Sequence, residues 1–217
     1  MILSYKYNFL YFKALKVAGT SIEVVLEPHC GEEDIVTKLQ PKIAGHIPRN
    51  YKDRNGKPLF YNHITPQEVK GKIKLKEWNK LNKVTIVRNP WEVMVSSYWW
   101  FYKLGRRQEK NVVGFNDWIL GNYSRGFNKY KNSVYYFDKE KKPICDYYIR
   151  YENLTSDIET FCKKVNMPIP EYIPKLKTKV RENKKHYSEY YNKKTIQKVY
   201  NMAKLDIDYF EYKFGEN

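Results

Sequence analysis

The chain has 217 residues, 42% of them hydrophobic and 17% aromatic, enough for a buried core and too many for a disordered chain. Its formal charge is +16, from 32 lysines and 8 arginines against 24 acids; this suits an anionic partner or a compositional bias towards Lys, Asn, Tyr and Ile, and alone decides nothing. No run of 18 apolar residues exists, which excludes a spanning helix, and Cys30, Cys145 and Cys162 lack both metal-type spacing and an even count. A reduced, cytoplasmic protein of one domain over residues 1–217 is expected, with no metal and no membrane span.

The N-terminal stretch MILSYKYNFLYFKA is interrupted by Lys6 and Asn8, so it reads as strand and not as a signal peptide, with the strand over 5–14. Thr20 or Ser21 would cap a helix over SIEVVLEP that Pro28 ends, and residues 29–62 read mostly as loop. Thr65 and Pro66 start a short helix in TPQEVKGKIK, and NKVTIVR, 82–88, is a β-branched strand. NPWEVMVSSYWWFYKLG has proline first and glycine last, as helices do. Residues 105–143 are polar and irregular, with a helix near FNDWILGNY and a hairpin at VYYFDKEKKPI. CDYYIRYENL is a strand, TSDIETFCKKVNM a helix led by Thr155 or Ser156, and residues 174–187 a basic loop before a last helix, NKKTIQKVYNMAKLDIDYFEY. Strands alternating with helices predict an α/β fold with a mainly parallel central sheet flanked by helices.

Two stretches carry chemistry. In YFKALKVAGTSIEVVL a strand meets a helix through small residues: Ala18 and Gly19 leave room for a ligand, Thr20 and Ser21 offer hydroxyls, and Lys16 offers a full charge. Backbone N–H groups and the positive end of a helix favour a phosphate-like group there. The lysine precedes the glycine, so this is not the G-x-x-x-x-G-K-[ST] loop of nucleoside triphosphatases. VTIVRNPWEVMVSSYWW repeats the strand-to-helix geometry, and there Arg88 and Ser96 could clamp one phosphate, for which a guanidinium fork is suited.

Together KVAGTS (16–21) and RNPWEVMVSSY (88–98) resemble the cofactor signatures of sulfotransferases that use 3′-phosphoadenosine 5′-phosphosulfate, above all the bacterial and carbohydrate-type members. YENLTSDIETFCKKVNMP and the C-terminal tail resemble segments of the same family, and the resemblance is weakest over 29–60 and 104–143. It implies a P-loop-like three-layer sandwich and transfer of a sulfuryl group from that donor to a hydroxyl, most plausibly of a carbohydrate, leaving the 3′,5′-bisphosphate and needing no metal. Lys16, Ala18, Gly19, Thr20 and Ser21 would hold the phosphosulfate, Arg88 and Ser96 the 3′-phosphate, and Arg181 in the basic loop the 3′-phosphate or adenosine. Val93 stands where the family often has a second arginine.

Transfer to a hydroxyl needs a base, and histidine suits neutral pH. FYNHITPQEVK resembles a segment of bacterial members and puts His63 25 residues before Arg88; His46 in AGHIP is the rival. The catalytic pair expected is therefore His63 as base and Lys16 at the leaving oxygen. A kinase-like phosphotransferase is a second reading, disfavoured by the absent G-K-[ST]; a basic nucleic-acid-binding module using Lys and Tyr is a third, so no nucleic-acid partner is expected on the leading one.

Overall fold

A computed structural model describes residues 1–103, 113–121, 131–176, 180, 181, 183 and 185–216. Much of the irregular stretch 105–143 and part of the basic loop 174–187 lie outside those residues. The strands are β1 (Ile2–Ser4), β2 (Phe9–Phe12), β3 (Ile35–Val36), β4 (Asn82–Val87) and β5 (Tyr147–Arg150). The helices are α1 (Gly19–Leu26), α2 (Pro66–Lys70), α3 (Leu75–Lys80), α4 (Pro90–Ser97), α5 (Phe115–Leu120), α6 (Ser133–Tyr136), α7 (Leu154–Lys164) and α8 (Lys193–Phe210). The chain divides into two compact units, Met1–Val87 with Val134–Leu176 and Arg88–Ser133 with Lys177–Asn217.

The first unit holds a five-stranded mixed sheet in the order β3-β1-β2-β4-β5. β2, β4 and β5 are parallel neighbours, as the strand–helix alternation predicts, whereas β1 runs antiparallel to both β2 and β3. The strand expected over 5–14 is narrowed to β2, Phe9–Phe12; residues 5–8 are the turn of a hairpin whose first strand, β1, precedes them. That turn contains neither glycine nor proline; Asn8 takes its left-handed position at φ 54°, and the Ser4 hydroxyl oxygen accepts from the Tyr7 amide at 3.2 Å. Asp34 completes it: its carboxylate accepts from the Tyr5 amide at 2.7 Å, the Lys6 amide at 3.2 Å and the Ser4 hydroxyl at 2.6 Å. On the sheet α7 sets the Phe161 ring edge-on to Phe9, centroids 5.5 Å apart, and 5.7 Å from Tyr147.

Several helix starts differ from expectation. α2 has the predicted Thr65 cap and Pro66 in its first turn, and Glu68 closes a capping box with Thr65. α7, however, begins one residue before Thr155, and Asn153 stands at its N-cap position without a side-chain cap bond. α3 had no recognisable start: Lys74 precedes it, and burial of Trp78 is what holds it in place. The expected hairpin at 134–144 opens as helix α6 and pairs only at Phe137 and Pro143. Pairing of hydrophobic Tyr135 and Tyr136 into the interior overrides the local turn signal there.

In the second unit α4 continues as a π-helical segment, Tyr98–Lys103, and an aromatic core forms from Trp91, Tyr98, Phe115, Trp118 and Tyr187 with Val199 and Ile207 of α8. Asn89 organises one end of it. Its side-chain oxygen accepts from the Trp91 amide at 3.1 Å, capping α4, and its amide donates to the Tyr187 hydroxyl at 3.0 Å and to the Lys213 and Glu216 carbonyls at 3.3 and 3.2 Å. Among the described residues no helix is long and apolar enough to cross a membrane.

Asn89 is 1% exposed, so removing it strips a cap and leaves buried partners unpaired. Asn89→Ala is expected to lower stability by about 1–3 kcal/mol, read as the shift of the urea midpoint. Asn89→Asp, which keeps the capping oxygen but sets a buried carboxylate oxygen against the Lys213 and Glu216 carbonyls, should be no more stable than alanine.

Candidate functional site

The loop from β2 to α1 is built on unusual backbone. Lys16 and Ala18 both adopt left-handed φ, 60° and 62°. Such conformations in residues with a side chain cost of order 1–3 kcal/mol each and concentrate at functional sites. Ala18, and not Thr20 or Ser21, is the N-cap of α1, with no side-chain cap. Its carbonyl accepts from the amides of Ser21 and Ile22 at 2.9 and 3.3 Å. Among the described residues the amides of Gly19 and Thr20 have no acceptor, although both residues are buried. The first amides of a helix lack intrahelical acceptors and, at its positive end, suit an anion. The donor set of this loop therefore fits a phosphate or sulfate group.

Thr20 and Ser21 are 8% and 3% exposed, and the Ser21 hydroxyl oxygen accepts from the Leu176 amide at 3.3 Å. Ser21 thus anchors a neighbouring segment, a role its place in the motif did not reveal. Gly19 is required by packing from below. A Cβ there would lie 2.6 Å from Lys13 Cγ and 3.0 Å from the Tyr11 hydroxyl oxygen.

Beneath the loop is a buried charge cluster that sequence reasoning missed. Lys13 Nζ donates to Glu23 Oε2 at 2.5 Å, and the Met1 amine pairs with Glu23 Oε1; none of the three is appreciably exposed. Burial alone would push the Glu23 carboxyl up, but the Met1 amine and Lys13 hold it below the usual carboxylate range. Burial pushes both cations the other way, below their ordinary values. The signal was present in the sequence as one lysine and one glutamate, each set in an apolar run, ten residues apart.

His63 belongs to this cluster. Its Nδ1 is 2.8 Å from the Lys13 carbonyl oxygen, and the Tyr135 hydroxyl donates to the His63 carbonyl at 2.8 Å. Its φ is 63°, again left-handed. Burial, with the Lys13 charge next, lowers its pKa to about 4. A carbonyl can only accept, so Nδ1 carries the proton and Nε2 keeps the lone pair: a neutral proton acceptor tied to the residue three before Lys16.

His46 is placed differently. Its Nδ1 is 2.7 Å from Glu27 Oε2 and its Nε2 3.0 Å from the Thr37 carbonyl, so both ring nitrogens are engaged in bracing the 27–49 loop. Arg49 and the Ile47 amide complete that brace on Glu27 Oε1.

In the second unit Arg88 precedes α4 and makes a two-point ion pair with Glu92, Nε to Oε2 at 3.1 Å and Nη2 to Oε1 at 2.7 Å. Glu92 was not singled out from the sequence, although a partner four residues on is the standard helical spacing. Ser96 is half-buried in the second turn of α4, and Val93 is buried in the core. Arg181 folds over the Tyr190 ring, 5.0 Å from its centroid, and donates to the Asn183 and Lys185 carbonyls, so its guanidinium braces its own loop. Comparison of the chain with protein-family models, with curated proteins and with solved structures finds no match.

Two outcomes follow for the loop and its histidine. Alanine favours a helix over glycine by about 1 kcal/mol, but overpacking costs about 1–3 kcal/mol. Gly19→Ala should therefore destabilise the protein in thermal unfolding. His63 titrates near 4 folded and near 6.5 unfolded, so between those values the unfolded chain binds more protons. Its stabilising contribution is complete above about 6.5 and is lost as pH falls towards 4. His63→Asn, which tolerates the left-handed backbone, should lose less stability than wild type between pH 7 and pH 5 in denaturant titrations.

Proposed function

We propose that the protein is a sulfotransferase that moves a sulfuryl group from 3′-phosphoadenosine 5′-phosphosulfate to an acceptor hydroxyl, in the first place a carbohydrate hydroxyl. The observation that carries the reading is the tie between His63 and the anion loop: a neutral imidazole held at 2.8 Å by Lys13, in the loop that carries Lys16 and the first amides of α1, Gly19 and Thr20. The donor, when bound, supplies the sulfuryl group and a bisphosphate leaving group. The chain supplies the rest. Gly19 and Thr20 amides and the α1 terminus hold the anionic end, and Lys16 neutralises charge that grows on the leaving oxygen. His63 Nε2 takes the acceptor proton.

The sequence resemblance assigns the 3′-phosphate to Arg88 and Ser96. Glu92 grips the Nε–Nη2 edge of Arg88 and so orients the guanidinium at the start of α4. Arg181 is a weaker member of the set, since its contacts are within its own loop. The P-loop-like sandwich is part of the same proposal, supported by the parallel run β2-β4-β5 with a loop and helix after β2. The three free cysteines suit a cytoplasmic setting.

The first test is thermal: the bisphosphate product should raise the melting temperature strongly and ATP little, because ligand binding to the folded state alone stabilises it. Stabilisation by ATP instead would favour the kinase-like reading, and salt-sensitive stabilisation by oligonucleotides the nucleic-acid reading. Lys16→Ala should weaken binding by about 1.5–3 kcal/mol for the lost charged contact, and abolish transfer nearly completely while the protein stays folded. Arg88→Ala and Ser96→Ala should weaken the 3′-phosphorylated nucleotide far more than its analogue without that phosphate. Calorimetry with both nucleotides reads the difference; equal losses would remove the clamp from the proposal.

A further inference from the structure

Lys13 has no part in the chemistry above, yet it touches every piece of it. The side chain is buried, so its ammonium cannot meet a bound substrate. Its carbonyl holds His63 Nδ1 at 2.8 Å. Its ammonium holds Glu23 of α1 at 2.5 Å. Its Cγ occupies the space that a side chain at Gly19 would need.

We propose that Lys13 is a positioning residue for His63: its carbonyl selects the nitrogen that carries the proton, and its side chain, tethered to α1 through Glu23, sets where that carbonyl points. The proposal deepens the reading of His63 as proton acceptor and rests on it. Three geometric facts support it. His63 is held at two points, its ring by the Lys13 carbonyl and its backbone carbonyl by the Tyr135 hydroxyl. The left-handed backbone of His63 persists only because such contacts over-determine it. And the glycine of the loop motif, whose φ does not lie in the left-handed region, is needed here to let the Lys13 chain pass.

Charge explains why this residue is a lysine. The groups that act on the His63 ring are Lys13 and the Met1 amine, which oppose its protonation, and Glu23, which favours it. Burial opposes protonation most of all. A methionine of similar length would fill the same space beside Gly19 without that repulsion. Glu23 would keep the Met1 amine as its partner, so the variant does not strand a buried carboxylate.

Nitrogen-15 NMR of the imidazole of the full chain tests this without donor or acceptor. Wild-type His63 should show protonated Nδ1 and unprotonated Nε2 from pH 8 down to pH 5. In Lys13→Met the His63 midpoint should rise above the wild-type value and stay below the ordinary imidazole value of about 6.5, because burial remains. An unchanged midpoint in folded Lys13→Met overturns the proposal. So does a wild-type ring protonated on Nε2, which decides the matter even if the variant fails to fold; the Nδ1-protonated form then sustains it. Loss of the bisphosphate-induced thermal shift would sink the sulfotransferase reading and leave these NMR outcomes intact.

Discussion

Glu23 is the constraint on which the site depends. A carboxylate with no exposed surface must be neutralised where it lies, and here two cations from different parts of the chain do so. One stands at the start of β1, the other just past the end of β2, and the carboxylate is on α1. Leaving a buried charge without its partner typically costs about 3–5 kcal/mol. That penalty makes the three elements assemble in one arrangement. The strained backbone at Lys16 and Ala18 lies between two of those anchors, so the loop has little freedom to relax.

The same charges act on His63. The Lys13 ammonium and the Met1 amine, beneath the loop, oppose a proton on its ring, and burial opposes it most. Placing the cations inside, out of reach of solvent, makes their field stronger than that of surface lysines. This also separates meaning from composition. Most of the +16 surplus is spread over the surface, and the lysine with the largest structural role is buried.

Legibility in the sequence followed the range of the interactions. Helices α2 and α4 could be read because their start signals, the Thr65 cap and a proline in the first turn of each, act within a few residues. Strands β4 and β5 declared themselves through β-branched and aromatic runs. What could not be read depends on distant partners: the β1–β2 turn completed by Asp34, helix α3 held by Trp78, and the engagement of Ser21 by Leu176. For the site, the strand–loop–helix form around Lys16 was legible, as was a histidine ahead of α2. That Lys13 would join the two was not, because its carbonyl and its buried ammonium act across 50 and 10 residues of chain.

The turn over residues 5–8 has one more consequence, for the growing chain on the ribosome. β1 and β2 are adjacent and apolar, and within the bend between them Ser4 holds the Tyr7 amide. The group that satisfies the Tyr5 and Lys6 amides arrives 29 residues after Tyr5. Until then the hairpin lacks that brace, and isolated two-stranded hairpins are marginal in water even with a good turn. The emergence of Asp34 therefore completes the turn just as β3, which begins at the next residue, becomes able to pair with β1.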